Sequence, residues 1–187
     1  LLREILKNKN LPNLITSIRI IGTAAMLFMK PLSKMFLITY AVAGITDILD
    51  GFIARKMGTI SDFGSKLDSI ADLLLYFVML VKIFPVMWVT LPNVIWFMVA
   101  AIVAVRFCAY IVAAIKYKRF AAQHTYMNKA SGLAVFTIPF AIVTVIAVPY
   151  CWGVCVVAMA ASLEELVIHL ISREYNPRRK TILSKEY

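Results

Sequence analysis

The sequence predicts an all-α integral membrane protein with six transmembrane helices, preceded by a short amphipathic surface helix. Of its 187 residues, 61% are hydrophobic and 16% are charged, whereas soluble proteins are about half apolar and roughly a quarter charged. The mean hydropathy of +0.82 agrees with this excess of apolar residues. Because a chain of this length cannot hide so much apolar surface in a water-soluble core, lipid must be the solvent for much of it.

Six apolar stretches are long enough to cross a bilayer core of about 30 Å as helices. Pro31 follows the first stretch, Gly58 follows the second, and Pro149 is predicted to separate the fifth from the sixth. Together the stretches predict one membrane-embedded domain over residues 1–187, with its six-helix bundle at 12–172. The stretches lie near residues 12–29, 33–57, 63–84, 90–116, 130–149 and 151–172.

Basic residues flank the predicted bundle at both ends. Residues 1–10 combine apolar side chains with Arg3, Lys7 and Lys9, which predicts a surface helix lying along the lipid headgroups. Residues 173–187 form a basic tail. Because lysine and arginine are concentrated in the segments that share a side with the N-terminus, both termini are predicted to face the cytoplasm of a multi-pass plasma-membrane protein.

The net charge of +10 does not indicate a nucleic-acid-binding protein. The basic residues lie between apolar runs, as charges beside a membrane do, and do not alternate with aromatic residues on a polar face. The three cysteines lie in apolar runs without metal-ligand spacing, and neither histidine has a second candidate ligand at a suitable spacing. The chain is therefore predicted to lie in membrane lipid and not to bind nucleic acid.

All five aspartates lie between positions 47 and 72, where the second apolar stretch ends and the third begins. An unmatched aspartate costs roughly 2.5–3.5 kcal/mol at the membrane centre, and less near the interface. Lysine and arginine partners are predicted to be too few nearby, and crowded carboxylates repel one another. A divalent cation would resolve both problems at once.

The spacing of the aspartates places them on two helical faces. Asp47, Asp50 and Gly51 fall at i, i+3 and i+4, and Asp68 and Asp72 are four residues apart. Two antiparallel helices joined by a short loop can bring these faces together. Carboxylate oxygens brought together from these two faces suit a hard cation, Mg²⁺ above all. A glycine beside them has no side chain, so a phosphate can approach the backbone there.

These residues form one continuous pattern, Asp47-x-x-Asp50-Gly51-x-x-Ala54-Arg55, then eight residues, then Gly64-x-x-x-Asp68-x-x-x-Asp72. The pattern resembles, at every position, the signature of the CDP-alcohol phosphotransferase family. A second segment is similar to the opening of family members that use CDP-diacylglycerol, and it reads Pro12-Asn13-x-x-Thr16-x-x-Arg19.

The resemblance implies a reaction in which the hydroxyl of a small polar alcohol attacks the phosphorus of a CDP-linked lipid donor and CMP leaves. It implies two bound divalent ions, Mg²⁺ or Mn²⁺, and a homodimer. Asp72 is also the implied base for the attacking hydroxyl. The implied metal ligands are Asp47, Asp50, Asp68 and Asp72. The residues implied to line the cytidine nucleotide pocket are Gly51, Ala54, Arg55 and Gly64.

Arg106 lies within the fourth apolar stretch, so its side chain is expected to face the bundle interior or a water-filled cavity. The resemblance implies a contact with an anionic acceptor there, with glycerol 3-phosphate as the leading candidate. The alternatives are that Arg106 extends its charged end toward the membrane interface or pairs with an internal carboxylate. Lys129 is a second candidate contact, although membrane-flanking charge explains it almost as well. Asn128 and Ser69 depart from the pattern of the glycerol-phosphate branch, so the sequence does not by itself decide the acceptor.

Two other functions are compatible with the sequence. A phosphotransferase of the CDP-choline or CDP-ethanolamine type would act on diacylglycerol, but such enzymes are usually longer. A divalent-cation transporter would also place carboxylates within the membrane. Against the transporter, the aspartates crowd one end of two helices and do not continue across the bilayer.

Overall fold

The computed structural model describes residues 11–57, 62–118, 123, 125–172, 174–175 and 179–182. All secondary structure in these ranges is helical, without a strand, and this confirms the all-α prediction. The predicted surface helix at residues 1–10 lies outside the described residues, as does much of the predicted tail at 173–187.

The helices fall into two groups along the chain. Contacts between residues divide it into two compact units, residues 1–88 and 89–187. In chain order the helices are α1 (Leu11–Met26), α2 (Lys34–Met57), α3 (Asp62–Lys82), α4 (Phe84–Thr90), α5 (Asn93–Tyr117), α6 (Tyr126–Phe136), α7 (Ile138–Ala141) and α8 (Ala147–Ile171).

In the first unit, α1 packs against both α2 and α3. Gly22 lies where α1 approaches α2, and a Cβ atom at this position would be 3.7 Å from Cγ2 of Thr39, which is ordinary van der Waals contact. Because α1 is the shared partner, residues of α2 and α3 meet around its buried face. The buried apolar side chains of this unit are Met26, Phe36, Tyr40, Ala43, Ala71, Val78 and Ile83.

A single residue, Ile83, separates α3 from α4. Pro85 has no N–H to donate to the carbonyl of Val81, and its ring crowds that turn, so the α-helix is interrupted here. The N–H of Ile83 still donates to the carbonyl of Met79, and the N–H of Met87 donates to the carbonyl of Ile83. A short helix therefore continues where the sequence predicts a gap.

In the second unit, α8 is the common partner of α5, α6 and α7. Ala109 and Ala113 on α5 are fully buried, and such small side chains allow membrane helices to approach closely. The buried apolar residues of α8 are Ala147, Cys151, Val154, Cys155, Ala161 and Ile168.

The predicted fifth apolar stretch, residues 130–149, does not form one helix. Pro139 cannot donate to the carbonyl of Val135, so α6 ends and only the four-residue α7 follows. The prediction that Pro149 separates two helices is wrong, because α8 begins at Ala147 and includes it. A proline is tolerated in the first turn of a helix, where the backbone N–H has no helical acceptor.

Three segments of the described chain are long and apolar enough to cross a membrane, as judged by length and composition: Lys66–Thr90, Asn93–Tyr117 and Ala147–Ile171. Their large apolar side chains are mostly exposed, including Phe97 and Ile115, as expected of side chains that face lipid. The helix α1 has 16 residues, or about 24 Å, which is shorter than the bilayer core. The chain is a helical membrane protein, and the count of six spans is not confirmed.

Candidate active site

The aspartates of the first unit meet around the buried side chain of Arg19. Nη1 of Arg19 donates a hydrogen bond to Oδ1 of Asp47, and Nη2 donates to Oδ1 of Asp68. Nη1 also lies 3.8 Å from Oδ1 of Asp72. The side chain of Arg19 is 1% exposed, whereas those of the three aspartates are 44–47% exposed. The guanidinium is therefore buried beneath three carboxylates that remain open to solvent.

The periodicity of α1 explains why Arg19 points inward. Thr16, Arg19, Thr23 and Met26 are all buried and follow one another at intervals of three or four residues, which places them on one helical face. This face packs against α2 and α3. The position of Arg19 on this face thus places its guanidinium where α2 and α3, which carry the aspartates, pack against α1.

Arg19 contacts three of these carboxylates, a pairing that the spacing of the aspartates did not predict, and this one cation does not balance their three charges. Arg19 precedes Asp47 by 28 positions and Asp68 by 49. Nothing in the local pattern around the aspartates indicates so distant a partner. Two features of the sequence could have indicated a partner role for Arg19. It is the last residue of the Pro12-Asn13-x-x-Thr16-x-x-Arg19 segment, and it is a charged residue inside an apolar stretch.

The three carboxylates have the geometry of a possible metal centre. Asp47, Asp68 and Asp72 each offer one oxygen, and these oxygens lie within 4.8 Å of one another. An all-oxygen set suits a hard cation such as Mg²⁺. Three carboxylates and one guanidinium leave a formal charge of −2, which a divalent cation would neutralise. The predicted meeting of the two aspartate faces is therefore observed, and its residues fit a divalent ion.

The remaining predicted site residues of this unit are located only in part. Asp50, Gly51, Ala54 and Arg55 lie on α2, but their side chains are outside the described part of the chain. Gly64 lies in the first turn of α3 and is half-buried. The predicted roles of these residues in metal and nucleotide binding stay predictions.

In the second unit, Arg106 belongs to a network of polar side chains. Its Nη2 donates to Oδ1 of Asn128 at 2.9 Å, and its Nε lies 3.4 Å from Oγ of Ser162. Nδ2 of Asn128 in turn donates to Oε2 of Glu165 at 3.1 Å and to the carbonyl of Gln123 at 2.7 Å. Side chains from α6 and α8 thus contact the guanidinium of Arg106.

Both glutamates of α8 contact other parts of the chain. Glu165 is 1% exposed and accepts from the backbone N–H of Gln123 at 2.9 Å, and its Oε1 lies 3.9 Å from Nε2 of His169. Oε1 of Glu164 lies 3.4 Å from the backbone nitrogen of Ile182, in the tail. Each of the two glutamates therefore accepts a backbone N–H from another segment of the chain.

Lys129 follows Asn128 on α6, and its side chain is exposed. The structure therefore does not bring Lys129 into the hydrogen-bond network of Arg106. Asn128 is the residue that connects Arg106 with Glu165. The sequence had indicated only that Asn128 departs from the pattern of the glycerol-phosphate branch.

A family model described as CDP-alcohol phosphatidyltransferase matches residues 9–168. The chain is 40% identical over 73 residues to the CDP-diacylglycerol--glycerol-3-phosphate 3-phosphatidyltransferase of Rickettsia bellii, a match that covers 36% of this chain and 40% of the relative. It is 37% identical over 91 residues to the enzyme of the same name from Pseudomonas fluorescens, covering 44% and 47% of the two chains.

A shorter segment of 28 residues is 68% identical to the CDP-diacylglycerol--serine O-phosphatidyltransferase of Methanocaldococcus jannaschii, and it covers 15% of this chain and 14% of that one. These matches span less than half the length of each relative. No solved structure matches the chain.

The family match includes the aspartates around Arg19 as well as the network of Arg106, and it extends over most of the chain. It therefore does not depend on the short acidic pattern alone. The predicted family resemblance is confirmed: the chain belongs to the CDP-alcohol phosphatidyltransferase family.

Proposed function

We propose that this protein transfers a phosphatidyl group from CDP-diacylglycerol to a small polar alcohol and releases CMP, as a step in phospholipid synthesis. Glycerol 3-phosphate is the leading acceptor. The observation that carries the proposal is the approach of Asp47, Asp68 and Asp72 to within 4.8 Å of one another, at the family's signature positions. The two relatives named for transfer from CDP-diacylglycerol to glycerol 3-phosphate support the choice of donor and acceptor.

The proposed metal ligands are these three aspartates together with Asp50 from the sequence pattern. When bound, two ions of Mg²⁺ or Mn²⁺ would neutralise the diphosphate of the donor and stabilise the attacking and leaving oxygens. The buried Arg19 donates to one oxygen of Asp47 and to one oxygen of Asp68, so it does not occupy the second oxygen of either carboxylate. Gly51, Ala54, Arg55 and Gly64 are the proposed contacts of the cytidine nucleotide.

Asp72 is the proposed general base. Its side chain is 46% exposed, so a hydroxyl of the acceptor can reach it. The acceptor oxygen forms a new bond to the phosphorus of the phosphatidyl group, and its proton passes to the Asp72 carboxylate. The bond between this phosphorus and the oxygen bridging to CMP breaks, and CMP leaves with that oxygen.

Arg106 is the proposed contact for the anionic group of the acceptor. Its two observed partners, Asn128 and Ser162, are neutral, and no carboxylate of the described residues lies within 4.0 Å of its guanidinium. Its direct hydrogen bonds are to neutral groups, and Glu165 acts on it only through Asn128, so the guanidinium can still bind an incoming anion. This favours an acceptor contact over the alternative of an internal ion pair, and the exposed Lys129 is proposed as a second contact.

Replacing Arg106 with alanine is expected to raise the KM for glycerol 3-phosphate roughly tenfold to a hundredfold, because a hydrogen bond to a charged group contributes about 1.5–3 kcal/mol. The KM for CDP-diacylglycerol should change little. Initial rates at varied concentrations of each substrate would measure both constants. An unchanged acceptor KM would remove Arg106 from the acceptor site.

The proposed activity is tested with purified protein in lipid nanodiscs, labelled CDP-diacylglycerol and a panel of glycerol 3-phosphate, glycerol and serine. We expect Mg²⁺-dependent release of CMP and formation of an acidic phospholipid with glycerol 3-phosphate. Serine is included because of the short match to a serine O-phosphatidyltransferase. Activity only with CDP-choline or CDP-ethanolamine and diacylglycerol would instead support the second type of phosphotransferase, and no CMP release from any donor would favour a cation transporter.

We also propose that the chain acts as a single domain over residues 1–187, with six transmembrane helices and with both termini and the active site facing the cytoplasm of a plasma membrane. The placement of lysine and arginine supports this orientation, and the family match, which extends across both compact units, supports one functional domain. A homodimer is proposed from the family resemblance alone.

A further inference from the structure

We propose that Asn128 and Glu165 are positioning residues for the acceptor. In this proposal Glu165 orients the side-chain amide of Asn128, and Asn128 holds the guanidinium of Arg106 toward the phosphomonoester group of an anionic alcohol. The inference rests on the proposed function, because it assumes that Arg106 contacts the acceptor.

The amide of Asn128 lies between opposite charges. Oδ1 accepts from Nη2 of Arg106 at 2.9 Å, and Nδ2 donates to Oε2 of Glu165 at 3.1 Å. An amide oxygen can only accept and an amide NH₂ can only donate. A rotation of the amide by half a turn would place NH₂ against the guanidinium and oxygen against the carboxylate, so the charges at its two ends determine its orientation.

The carboxylate of Glu165 is itself held in place. It is 1% exposed and accepts from the backbone N–H of Gln123 at 2.9 Å. Ser162 lies one turn earlier on the same face of α8, and its Oγ is 3.4 Å from Nε of Arg106 while it donates to the carbonyl of Ala158 at 2.8 Å. The helix α8 therefore presents two fixed polar groups toward the network.

The backbone of Asn128 is also fixed. Thr125 caps the N-terminus of α6, and its Oγ1 accepts from the backbone N–H of Asn128 at 3.1 Å. A cap of this kind satisfies a backbone donor that has no helical acceptor. The side chain of Asn128 thus begins from a defined position and reaches Arg106 with little freedom.

An intervening amide has a chemical advantage over a direct ion pair. A carboxylate bonded directly to Arg106 would compete with the acceptor for the guanidinium. With Asn128 in between, Glu165 fixes the geometry without occupying the N–H groups of Arg106. Nη1 of Arg106 makes no hydrogen bond to other described residues and can donate to an acceptor phosphate.

The test compares Asn128→Ala and Glu165→Gln with the matched control Asn93→Ala, an exposed asparagine on α5. Asn128→Ala is expected to raise the KM for glycerol 3-phosphate by about tenfold, the loss expected for one hydrogen bond to a charged group. Glu165→Gln should raise it less, because the Gln side chain keeps one acceptor oxygen. The KM for CDP-diacylglycerol should match that of the control, whereas the midpoint of thermal unfolding should fall in Asn128→Ala, because the buried carboxylate of Glu165 loses a donor.

A double substitution separates positioning from general structural support. If Asn128 acts through Arg106, the double variant R106A/N128A should have the acceptor KM of R106A alone, because its partner is already absent. Effects that multiply, or a parallel rise in the KM of the lipid donor, would overturn the inference.

Calorimetric titration of glycerol 3-phosphate into the purified protein, without donor, distinguishes this inference from the proposed function. Binding that is weakened by both R106A and N128A, in a protein that transfers nothing to glycerol 3-phosphate, would support positioning and refute the function. Transfer with binding weakened by R106A but not by N128A would support the function and refute positioning. If the unaltered protein neither binds nor uses glycerol 3-phosphate, both proposals fall.

Discussion

Replacing Asp68 with asparagine is expected to abolish phosphatidyl transfer while the protein remains folded. The change is nearly isosteric, but it removes one negative charge from a group of three carboxylates within 4.8 Å of one another. A divalent ion would then lose an anionic ligand, and the donor diphosphate would lose its neutralising charge. We expect a fall in rate on the order of a hundredfold or more, as when one preorganised electrostatic contact is removed from an active site.

CMP release at saturating Mg²⁺ measures this effect, and thermal unfolding of the same preparations verifies that the variant is folded. Asp62→Asn is the matched control, because Asp62 is the one aspartate outside the family pattern. Near-normal turnover by Asp68→Asn would exclude Asp68 as a metal ligand. Loss of turnover in the control as well would mean that the assay responds to any change of charge in this region.

Replacing Arg19 with methionine is expected to lower the stability of the protein in a metal chelator and to make that stability strongly dependent on Mg²⁺. Methionine keeps much of the buried volume of Arg19 but removes the guanidinium that contacts three carboxylates. Breaking a fully buried pair costs about 3–5 kcal/mol. Because the aspartates are nearly half exposed, solvent screening should reduce this cost to about 1–3 kcal/mol.

Thermal unfolding in chelator and in a Mg²⁺ series measures the effect. Ligand binding to the folded state raises apparent stability, so Mg²⁺ should stabilise the Arg19 variant more than the unaltered protein. Arg106→Met provides the matched control, because Arg106 contacts Asn128 and Ser162 and none of the aspartates whose side chains the structure describes. Equal stabilisation of all three proteins by Mg²⁺ would contradict the proposal that Arg19 shares the carboxylates with a bound ion.

Local sequence features were sufficient to predict the grouping of aspartates. Asp68 and Asp72 are one helical turn apart, so helical periodicity alone places them on one face. Asp47 joins them because α2 and α3 both pack against α1. The spacing of the aspartates in the sequence therefore indicates which of them share a helical face. The packing of α2 and α3 against α1 brings the two faces together.

Helix boundaries near proline were less predictable. The same residue type interrupts the helix before Pro85, ends α6 before Pro139 and is accommodated within the first turn of α8 at Pro149. A proline disrupts a helix only where its nitrogen would have needed to donate. Which of these outcomes occurs depends on where the preceding turn begins, and composition does not supply that information.

The sequence by itself determined the helical membrane character, the family and the aspartate pattern, because apolar composition and the 3.6-residue period act over short stretches of chain. Only the tertiary structure decided that Arg19 is the cation beneath the aspartates, and that Asn128 connects Arg106 with Glu165. Those contacts join residues that lie from 22 positions apart, for Arg106 and Asn128, to 53 positions apart, for Arg19 and Asp72. They depend on the rotation of each helix about its axis and on the helices it packs against, which no local pattern specifies.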